Sequence, residues 1–470
     1  MFFILRGNAN LTHFGPLSSG IPGFVAGTWE LKNRLGNPDI SWRSLLEPSI
    51  DLCFNGITTN QHAVFFGHKV KGSMKRDPGL VDIFFSKKTG DIRKEGEVYT
   101  FPLLGRTLER IALNGASELY GGLTGELLAK DIKDAGGIIT LKDLKNYKVV
   151  WDEPISFKLK NKGLTLVTSP PPGSGAITAA ILGIMDLFNP APIDLHKAKT
   201  WHRFAEASKF GFARKTHLAD WSFKATSDGH KISHEVHSLV EELTSENWIE
   251  NIKNVIVDDQ TSGDPAHYGA SYIPTEDHGT CHMNFLDPEG NAVSVTASIN
   301  LIYGCKYLSR STGIIMNNQM DDFASPNIVS AYKLRPSENN FIHPGKRPMS
   351  SISTTIVLDS EGRVIAVAGA SGGTKIITAV AQVLLRTLYL GQNVKDAIDA
   401  PRLHHQLLPM ELWYEEGNSR WMLKELTSIG HNLTYFPTGG SAVQAILVDQ
   451  ETGLTTANAD YRKGGGVYGF

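Results

Sequence analysis

The sequence contains one residue pair, Gly279-Thr280, whose types and position could supply a nucleophile made by cleavage of the chain itself. A threonine hydroxyl is a poor nucleophile until a base removes its proton. Once the bond before Thr280 is cut, its free α-amine stands beside its own hydroxyl, and an α-amine with a pKa of about 7.7–8.0 is a suitable general base at neutral pH. Gly279 suits such a cleavage because a residue without Cβ tolerates a strained turn. The pair therefore predicts autocleavage, although a lone Gly-Thr is more often simply the start of a strand.

The chain before this pair has a mainly helical pattern of apolar residues, with one short buried strand predicted at 164–167. Proline and glycine at 169–175 predict a rigid corner before the apolar helix that follows. A helix is also expected through Trp29. The other predicted helices before the pair span 103–119, 127–135, 176–188 and 201–214, with weaker helical signals in the polar stretch 220–272.

After Thr280 the chain alternates strand pairs with helices. The first pair is a hairpin, because the turn 287–291 contains Pro and Gly between two extended runs. A long loop is expected at about 301–350. The predicted strands span 281–286, 292–299, 353–358, 364–368, 442–448 and 454–457, and the predicted helices span 376–390 and 394–400. This order indicates an α+β fold with antiparallel sheet covered by helices.

Composition excludes several classes of protein and site. The 470 residues are 41% hydrophobic and 20% charged, as in ordinary soluble globular proteins, and a formal net charge of −2 gives no electrostatic basis for binding nucleic acid. Three cysteines cannot form a disulfide framework, and the chain has no C-x-x-C, H-E-x-x-H or phosphate-loop pattern. His404 and His405 are adjacent, and on a helix their side chains would diverge. We therefore expect no metal ion and no cofactor.

Targeting signals are sparse in this sequence. The apolar run 1–5 ends at Arg6, too soon for a signal peptide, whose apolar region has about 7–15 residues. The run 176–185 is half of the roughly 20 residues that a membrane-spanning helix needs. We therefore expect neither a signal peptide nor a membrane anchor in this chain. Asn10-Leu11-Thr12 and Asn432-Leu433-Thr434 would permit N-glycosylation in a secretory compartment.

The chain resembles the gamma-glutamyltransferases (glutathione hydrolases), a family of N-terminal nucleophile hydrolases. The resemblance runs from Pro22-Gly23 to Arg462 and rests on short stretches that occur in order. These stretches are GGIIT at 136–140, PPPGSG at 170–175, GTCH at 279–282, SINL at 298–301, NNQMDDF at 317–323, PGKRPMSS at 344–351, GASGGT at 369–374 and PRLHHQ at 401–406. The resemblance implies a four-layer αββα fold with two packed antiparallel sheets. It also implies a large-subunit-like segment, 1–279, and a small-subunit-like segment, 280–470, which form one intertwined heterodimer after autocleavage.

The resemblance assigns roles to individual residues. The catalytic residues it implies are Thr280 as nucleophile, Gly372 and Gly373 as backbone N–H donors to an oxyanion, and Ser298 as a second hydroxyl near the nucleophile. The substrate-binding residues it implies are Asp322, Asn300 and Gln319 for the ammonium of a gamma-glutamyl group, and Ser350 and Ser351 for its α-carboxylate. These residue types suit such a group, because carboxylate and amide oxygens accept hydrogen bonds and hydroxyls donate them.

The sequence departs from the family pattern in three ways. Relatives carry a further N-terminal stretch with a signal or membrane anchor and an arginine that binds the donor carboxylate, and Arg6 lies outside the matching stretches and does not take that role. Gln319 replaces a glutamate of some animal members. Asn284 stands where serine is usual.

Three functional interpretations remain. The first is an autoprocessing gamma-glutamyltransferase that cleaves glutathione or its conjugates and transfers the glutamyl group to water, an amino acid or a dipeptide. The second is a truncated family member that does not mature and acts at most as a non-catalytic partner. The third is a related amidase with a different acyl group, which the set of predicted ammonium and carboxylate ligands disfavours. The family implies a location at the outer face of the plasma membrane or outside the cell.

Overall fold

The computed structural model describes residues 9–224, 227–273, 280–326, 334–437 and 439–470. The described helices are α1 (Ala9–His13), α2 (Phe24–Leu35), α3 (Trp42–Asn55), α4 (Gln61–Met74), α5 (Pro78–Phe84), α6 (Pro102–Asn114), α7 (Ser117–Gly121), α8 (Leu123–Asp134), α9 (Leu141–Asn146), α10 (Gly175–Phe188), α11 (Ala198–Lys215), α12 (Ser227–Leu243), α13 (Glu246–Val255), α14 (Lys375–Leu388), α15 (Val394–Asp399) and α16 (Arg420–Ile429). The described strands are β1 (Ile57–Thr58), β2 (Val98–Tyr99), β3 (Ile155–Leu159), β4 (Leu164–Thr168), β5 (Tyr272–Ile273), β6 (Thr280–Leu286), β7 (Ala292–Ser298), β8 (Arg335–Pro336), β9 (Thr355–Leu358), β10 (Val364–Ser371), β11 (Leu403–His404), β12 (Leu412–Tyr414), β13 (Leu433–Tyr435), β14 (Ala442–Val448) and β15 (Thr455–Ala459).

The chain divides into two compact units. The first comprises Met1–Trp151 and Ser298–Asp321, and the second comprises Asp152–Ala297 and Asp322–Phe470. This spatial division differs from the covalent division expected at Gly279–Thr280, which stays a prediction. Each unit contains strands or loops from both sides of Thr280, as an intertwined fold requires.

The first unit is mainly helical. Its helices α2–α9 pack around two apolar clusters, and β1 pairs with β2. The helix predicted at 103–119 is in fact two helices, because Gly115 adopts φ +74 and ends α6. A side chain there would also lie 2.8 Å from the ring of Trp29. The prediction missed this break because Gly115 sits inside a pattern of otherwise helical spacing.

The second unit is built on a six-stranded sheet in the order β15-β14-β10-β9-β4-β3, antiparallel throughout. Helices α10, α11 and α14 pack with this sheet in one large apolar core. All residues of α10 from Gly175 to Asp186 are buried. The apolar run that was too short for a membrane is therefore a core helix, as the sequence predicted. In the residues that the structure describes, no helix is long and apolar enough to cross a membrane.

The hairpin predicted after Thr280 is confirmed as β6 and β7, which form a separate two-stranded sheet. This sheet packs against β10 and β14 of the large sheet, so the two sheets face each other. Residues Cys281, Met283 and Phe285 point away from that interface and are exposed. The polar face of β6 is thus the buried one.

The predicted helices 127–135, 176–188, 201–214, 376–390 and 394–400 are confirmed within a few residues. The helices α3, α4 and α16 and the small sheet β11-β12-β13 were not predicted. The pattern of α3 was hidden because Pro48 lies inside it and only Cys53 of its side chains is buried. His404 lies on strand β11 rather than on a helix.

Candidate active site

Thr280 is the first residue of β6 and is half-buried. Gly279, the other residue of the predicted cleavage site, lies outside the described residues. Side chains alternate along a strand, so Thr280, His282 and Asn284 share the face of β6 that turns toward the six-stranded sheet. The predicted nucleophile therefore begins a polar row that is enclosed between two sheets.

His282 and Asn284 link the two sheets through hydrogen bonds. His282 Nε2 lies 2.9 Å from Asn284 Oδ1, which only accepts, so Nε2 carries the proton and Nδ1 accepts from the Thr296 hydroxyl at 2.8 Å. Asn284 Nδ2 donates to Val367 O at 3.3 Å and to Gln444 O at 2.8 Å. Burial lowers the pKa of His282 to about 4. The imidazole is therefore neutral at physiological pH, and both ring nitrogens have fixed partners.

The contacts between β6 and β10 predict that Thr280, the predicted nucleophile, lies near the end of β10. Asn284 of β6 contacts Val367 of β10. His282, two residues earlier in β6, lies against Gly369, two residues later in β10, where a Cβ would come within 2.1 Å of His282 Cε1. The contacts thus move along the two strands in opposite directions, two residues at a time. Continuing this pattern predicts that Thr280 lies near Ser371, the last residue of β10.

Gly372 and Gly373 follow directly, between β10 and α14, as the sequence predicted. They adopt φ +132 and +64, which favour glycine. A Cβ on Gly372 would lie 2.3 Å from Gly440 O, so no larger residue fits there. The first backbone N–H groups of a helix and of the loop that opens it have no helical partner, which makes such a loop suitable for binding an oxyanion.

The loop that contains Gly372 and Gly373, here called the glycine loop, packs against a small aromatic cluster. Gly440, which touches Gly372, itself packs so closely on Phe436 and Lys375 that a Cβ would lie 2.2 and 2.9 Å from them. The ammonium of Lys375 lies 4.6 Å from the ring centroid of Trp413 and 4.7 Å from that of Phe436. A pocket of about 310 Å³, including the solvent at its mouth, adjoins these residues. The cluster therefore limits how far the loop can move away from β10.

Two of the predicted carboxylate ligands, Ser350 and Ser351, lie against the proline-rich corner that precedes α10. Ser350 N–H donates to Pro172 O at 2.7 Å, and the Ser174 hydroxyl donates to Ser350 O at 2.6 Å. Ser351 is fully buried. The corner predicted at 169–175 thus fixes the main chain at the two serines, a function the sequence did not reveal because the contact joins residues 176 positions apart.

Asp322 is also buried and ends the short 3₁₀ turn Gln319–Asp322. It belongs to the second unit, as do Thr280, Ser350 and the glycine pair, Gly372 and Gly373.

The other predicted site residues, Ser298, Asn300 and Gln319, lie together in the first unit. The Ser298 hydroxyl oxygen accepts from Asn300 N–H at 3.0 Å, and Asn300 has the left-handed φ of +64. Asn300 Nδ2 donates to Asn318 O at 3.2 Å, while Asn317 Oδ1 accepts from Gln319 N–H at 2.9 Å. Asn317 and Asn318 were noted in the sequence only as part of a matching stretch. The structure gives them a role in holding the three predicted residues in place.

A buried group that offers metal-type donor atoms lies elsewhere in the second unit, formed by His202, Glu206 and His431. Their donor atoms lie within 4.8 Å of one another. His202 Nδ1 and His431 Nε2, however, are hydrogen-bonded to each other at 2.8 Å, and Lys209 Nζ lies 2.9 Å from Glu206 Oε1. Because the carboxylate charge is already matched by an ammonium and the two histidines are bonded to each other, we assign this cluster to the packing of α11 against the chain that follows α16. Nδ1 of His431 has no hydrogen-bond partner among the described residues.

Comparison with known proteins finds similar sequences and structures. A sequence profile described as Gamma-glutamyltranspeptidase matches residues 1–470. Scoloptoxin SSD14 from Scolopendra dehaani is 40% identical over 99% of this chain and 79% of its own length. Glutathione hydrolase 2 from Arabidopsis thaliana is 35% identical over 97% of this chain and 78% of its own length. The Glutathione hydrolase proenzyme of Escherichia coli K12 is 33% identical over 94% and 73%.

Among solved structures, the cephalosporin acylase from Bacillus halodurans superposes with a TM-score of 0.78 over 96% of this chain and 78% of that chain, at 23% identity. This likeness confirms the predicted α+β fold class with two facing antiparallel sheets. The profile match over the whole chain and the three relatives above 30% identity agree with the resemblance noted from the sequence. The chain therefore belongs to the gamma-glutamyltranspeptidase family of enzymes.

Proposed function

We propose that this protein is an autoprocessing gamma-glutamyl hydrolase and transferase whose nucleophile is Thr280. The observation that carries the proposal is the pair of contacts of His282 with Gly369 and of Asn284 with Val367. From these contacts we expect Thr280 near the end of β10, the strand that leads into Gly372 and Gly373. Acyl transfer needs an attacking hydroxyl close to the donors that bind the oxyanion. The neighbouring imidazole, His282, is neutral with both nitrogens engaged, which leaves the α-amine of Thr280 as the base.

Maturation starts with the same Thr280 hydroxyl, while the nitrogen of Thr280 is still in the peptide bond and is not yet available as a base. The hydroxyl attacks the carbonyl carbon of Gly279, and the C–N bond breaks as the hydroxyl proton passes to the former amide nitrogen. The resulting ester joins Gly279 to Thr280 Oγ. Water then hydrolyses the ester, which leaves a carboxylate on Gly279 and restores the hydroxyl beside a free α-amine. The product is the pair of segments 1–279 and 280–470 that the sequence predicts.

Turnover repeats this chemistry on a gamma-glutamyl amide such as glutathione. The α-amine of Thr280 accepts the hydroxyl proton while Oγ attacks the γ-carbonyl carbon. Backbone N–H groups of Gly372 and Gly373 donate to the oxyanion, and the leaving amine departs with the proton. Water, an amino acid or a dipeptide then attacks the glutamyl ester and releases glutamate or a new gamma-glutamyl compound.

The donor is held through its α-carbon substituents. We assign Asp322 to the ammonium and the hydroxyls of Ser350 and Ser351 to the α-carboxylate, because a buried carboxylate, the buried hydroxyl of Ser351 and the half-buried hydroxyl of Ser350 match those charges. Asn300 and Gln319 are assigned to the ammonium and Ser298 to the neighbourhood of the nucleophile on the sequence resemblance.

Maturation can be tested on a denaturing gel. Purified protein should give bands of about 30 and 20 kDa in place of one at 51.4 kDa, and mass spectrometry should find a fragment that begins at Thr280. It should also release glutamate from glutathione. Thr280→Ala should remain one band and release no glutamate. Wild-type protein that stays whole would contradict the proposal and support the inert interpretation.

We further propose that the protein acts outside the cell or at the outer face of the plasma membrane. Asn432 of the second sequon is exposed, which an acceptor of N-linked glycan requires. A loss of mass on treatment of the native protein with peptide-N-glycosidase would support that location, and an unmodified Asn432 in protein from its native source would count against it.

A further inference from the structure

Asn340 is a buried amide that links two separate pieces of chain in the second unit. It ends the 3₁₀ turn Glu338–Asn340 and is 3% exposed. Its Nδ2 donates to Asp322 O at 2.8 Å, and its Oδ1 accepts from Met349 N–H at 3.2 Å. Its backbone carbonyl accepts from Ala324 N–H at 3.0 Å. One residue thus holds the chain at Asp322 and at the residue directly before Ser350.

The turn that carries Asn340 is itself fixed on both sides. Lys346 is buried, and its Nζ donates to Phe341 O at 3.1 Å and also to Asn339 O. These carbonyls belong to the residues immediately before and after Asn340. Arg347 N–H donates to Asp220 Oδ2 at 2.9 Å and anchors the same loop. Asn340 is therefore held in position by the loop and is not free to follow either of its partners.

We infer that Asn340 is a positioning residue that sets the distance between the ammonium-binding and carboxylate-binding groups of the donor site. The inference rests on the proposed function, which assigns Asp322 to the ammonium and Ser350 with Ser351 to the α-carboxylate. Both substituents sit on one carbon of the gamma-glutamyl group, so their protein partners must keep a fixed spacing. The two hydrogen bonds of the Asn340 amide reach the chain at both partners.

This role predicts a loss of selectivity rather than a general loss of activity. A donor that carries both substituents gains from simultaneous binding only while the two partners are correctly spaced. A donor that lacks one substituent gains less from that spacing. When the Asn340 amide is removed, the complete donor should therefore lose more than the incomplete donors, whereas general damage to the fold would lower the rate for all donors alike.

The test compares three p-nitroanilides on the matured full chain. Gamma-glutamyl-p-nitroanilide is complete, glutaryl-p-nitroanilide lacks the amine, and 4-aminobutanoyl-p-nitroanilide lacks the α-carboxylate. In Asn340→Ala, we expect KM for the complete donor to rise about tenfold with a much smaller change in kcat, because the lost interactions bind ground state and transition state alike. The preference in kcat/KM for the complete donor over each incomplete donor should fall by about tenfold.

Asn339→Ala is the matched control, since Asn339 lies in the same turn but its side chain contacts His217 O and Glu235, away from both donor partners. It should keep wild-type selectivity. The appearance of two bands on a gel reports folding and maturation independently of donor binding. If Asn340→Ala does not fold, the isosteric Asn340→Asp retains the acceptor for Met349 N–H and removes the donor to Asp322 O. In Asn340→Asp, the preference for the complete donor over the amine-lacking donor should fall more than its preference over the carboxylate-lacking donor.

The outcomes separate the two proposals. Wild-type protein that releases no p-nitroaniline from the complete donor would overturn the proposed function and the role of Asn340 with it. An active wild type with unchanged selectivity in Asn340→Ala, or an equal loss for all three donors, would overturn the role of Asn340 alone.

Discussion

At the scale of single residues, His282 shows how a histidine beside a nucleophile can be excluded from proton transfer. It lies two residues from Thr280 on the same face of β6, yet its two nitrogens are engaged by Thr296 and Asn284. Burial keeps its pKa at about 4, so the ring is neutral at physiological pH and is a weak proton acceptor. We expect His282 to join the two sheets, and in the proposed mechanism the base is the amine that cleavage before Thr280 would create.

The buried His282 should make the protein less stable in acid. In the unfolded chain a histidine has a pKa of about 6.5, whereas the folded value is about 4, so between these values the unfolded state binds more protons. Stability from this residue is complete above pH 6.5 and is lost as pH falls toward 4, by roughly 3 kcal/mol in total. His282→Gln cannot titrate, so its free energy of unfolding should fall less between pH 6.5 and 4.5 than that of wild type.

Urea unfolding at the two pH values measures this difference. His404, His405 and His431 are buried as well and have lowered pKa values, so part of the acid sensitivity should remain in the variant. His196→Gln is the control for replacing a histidine, because His196 is exposed. Identical pH dependence in wild type and His282→Gln would show that His282 is not the buried neutral base described here.

At the scale of elements, the site depends on how closely β6 approaches β10. The glycine at 369 allows the ring of His282 to lie directly on the β10 backbone. Asn284 then bonds to main-chain carbonyls of β10 and β14, so the hairpin is fixed to two strands of the large sheet. The separation between the sheets at this point sets where Thr280 stands relative to the glycine loop.

Gly369→Ala should therefore reduce catalysis from a position that touches no substrate. Its Cβ would lie 2.1 Å from His282 Cε1, and the ring cannot turn away without losing two hydrogen bonds. Overpacking of this kind costs about 1–3 kcal/mol of stability. A displacement of β6 by about 1 Å would lower kcat by roughly a hundredfold. Steady-state kinetics on gamma-glutamyl-p-nitroanilide and urea unfolding measure the two effects.

Gly72→Ala is the control for this substitution, since Gly72 lies in α4 with no atom within 4 Å of a new Cβ. Alanine there should leave kcat unchanged and should stabilise the helix slightly. A Gly369→Ala protein with normal kcat would mean that the approach of the two sheets does not control the position of Thr280.

The sequence predicted those features of the elements that depend on local pattern. The corner at 169–175, the hairpin after Thr280 and the glycine pair before α14 follow from proline, glycine and alternation, and all three are present. The burial of the polar face of β6 could not be predicted, because alternation alone would favour burying Met283 and Phe285. What decides it is hydrogen bonding to Gln444, 160 residues away. Asn340 was missed for the same reason, since its partners Asp322 and Met349 meet it only in the folded chain.

At the scale of the whole molecule, the proposed cleavage divides a chain whose large sheet is shared between both products. Strands β3 and β4 belong to the segment before Thr280, while β9, β10, β14 and β15 belong to the segment after it. The join is the antiparallel ladder between β4 and β9, in which Thr165 pairs with Leu358 and Thr168 with Thr355. The apolar core likewise combines α10 and α11 from one segment with α14 from the other. Cleavage therefore cuts the covalent chain without removing the contacts that hold the sheet together.

The two fragments should accordingly remain one particle after maturation and separate only when the core unfolds. In size-exclusion chromatography under native conditions, both bands should elute together as a species of about 51 kDa. Leu166→Ala should lower the urea concentration at which they separate, because Leu166 on β4 is fully buried in the shared core and truncation of a buried leucine costs about 2–5 kcal/mol. Leu164→Ala on the same strand removes a half-buried side chain and should have a smaller effect. Fragments that elute separately without denaturant would show that the β4–β9 ladder and the shared core do not bind the products, and the intertwined architecture proposed for the mature protein would then be wrong.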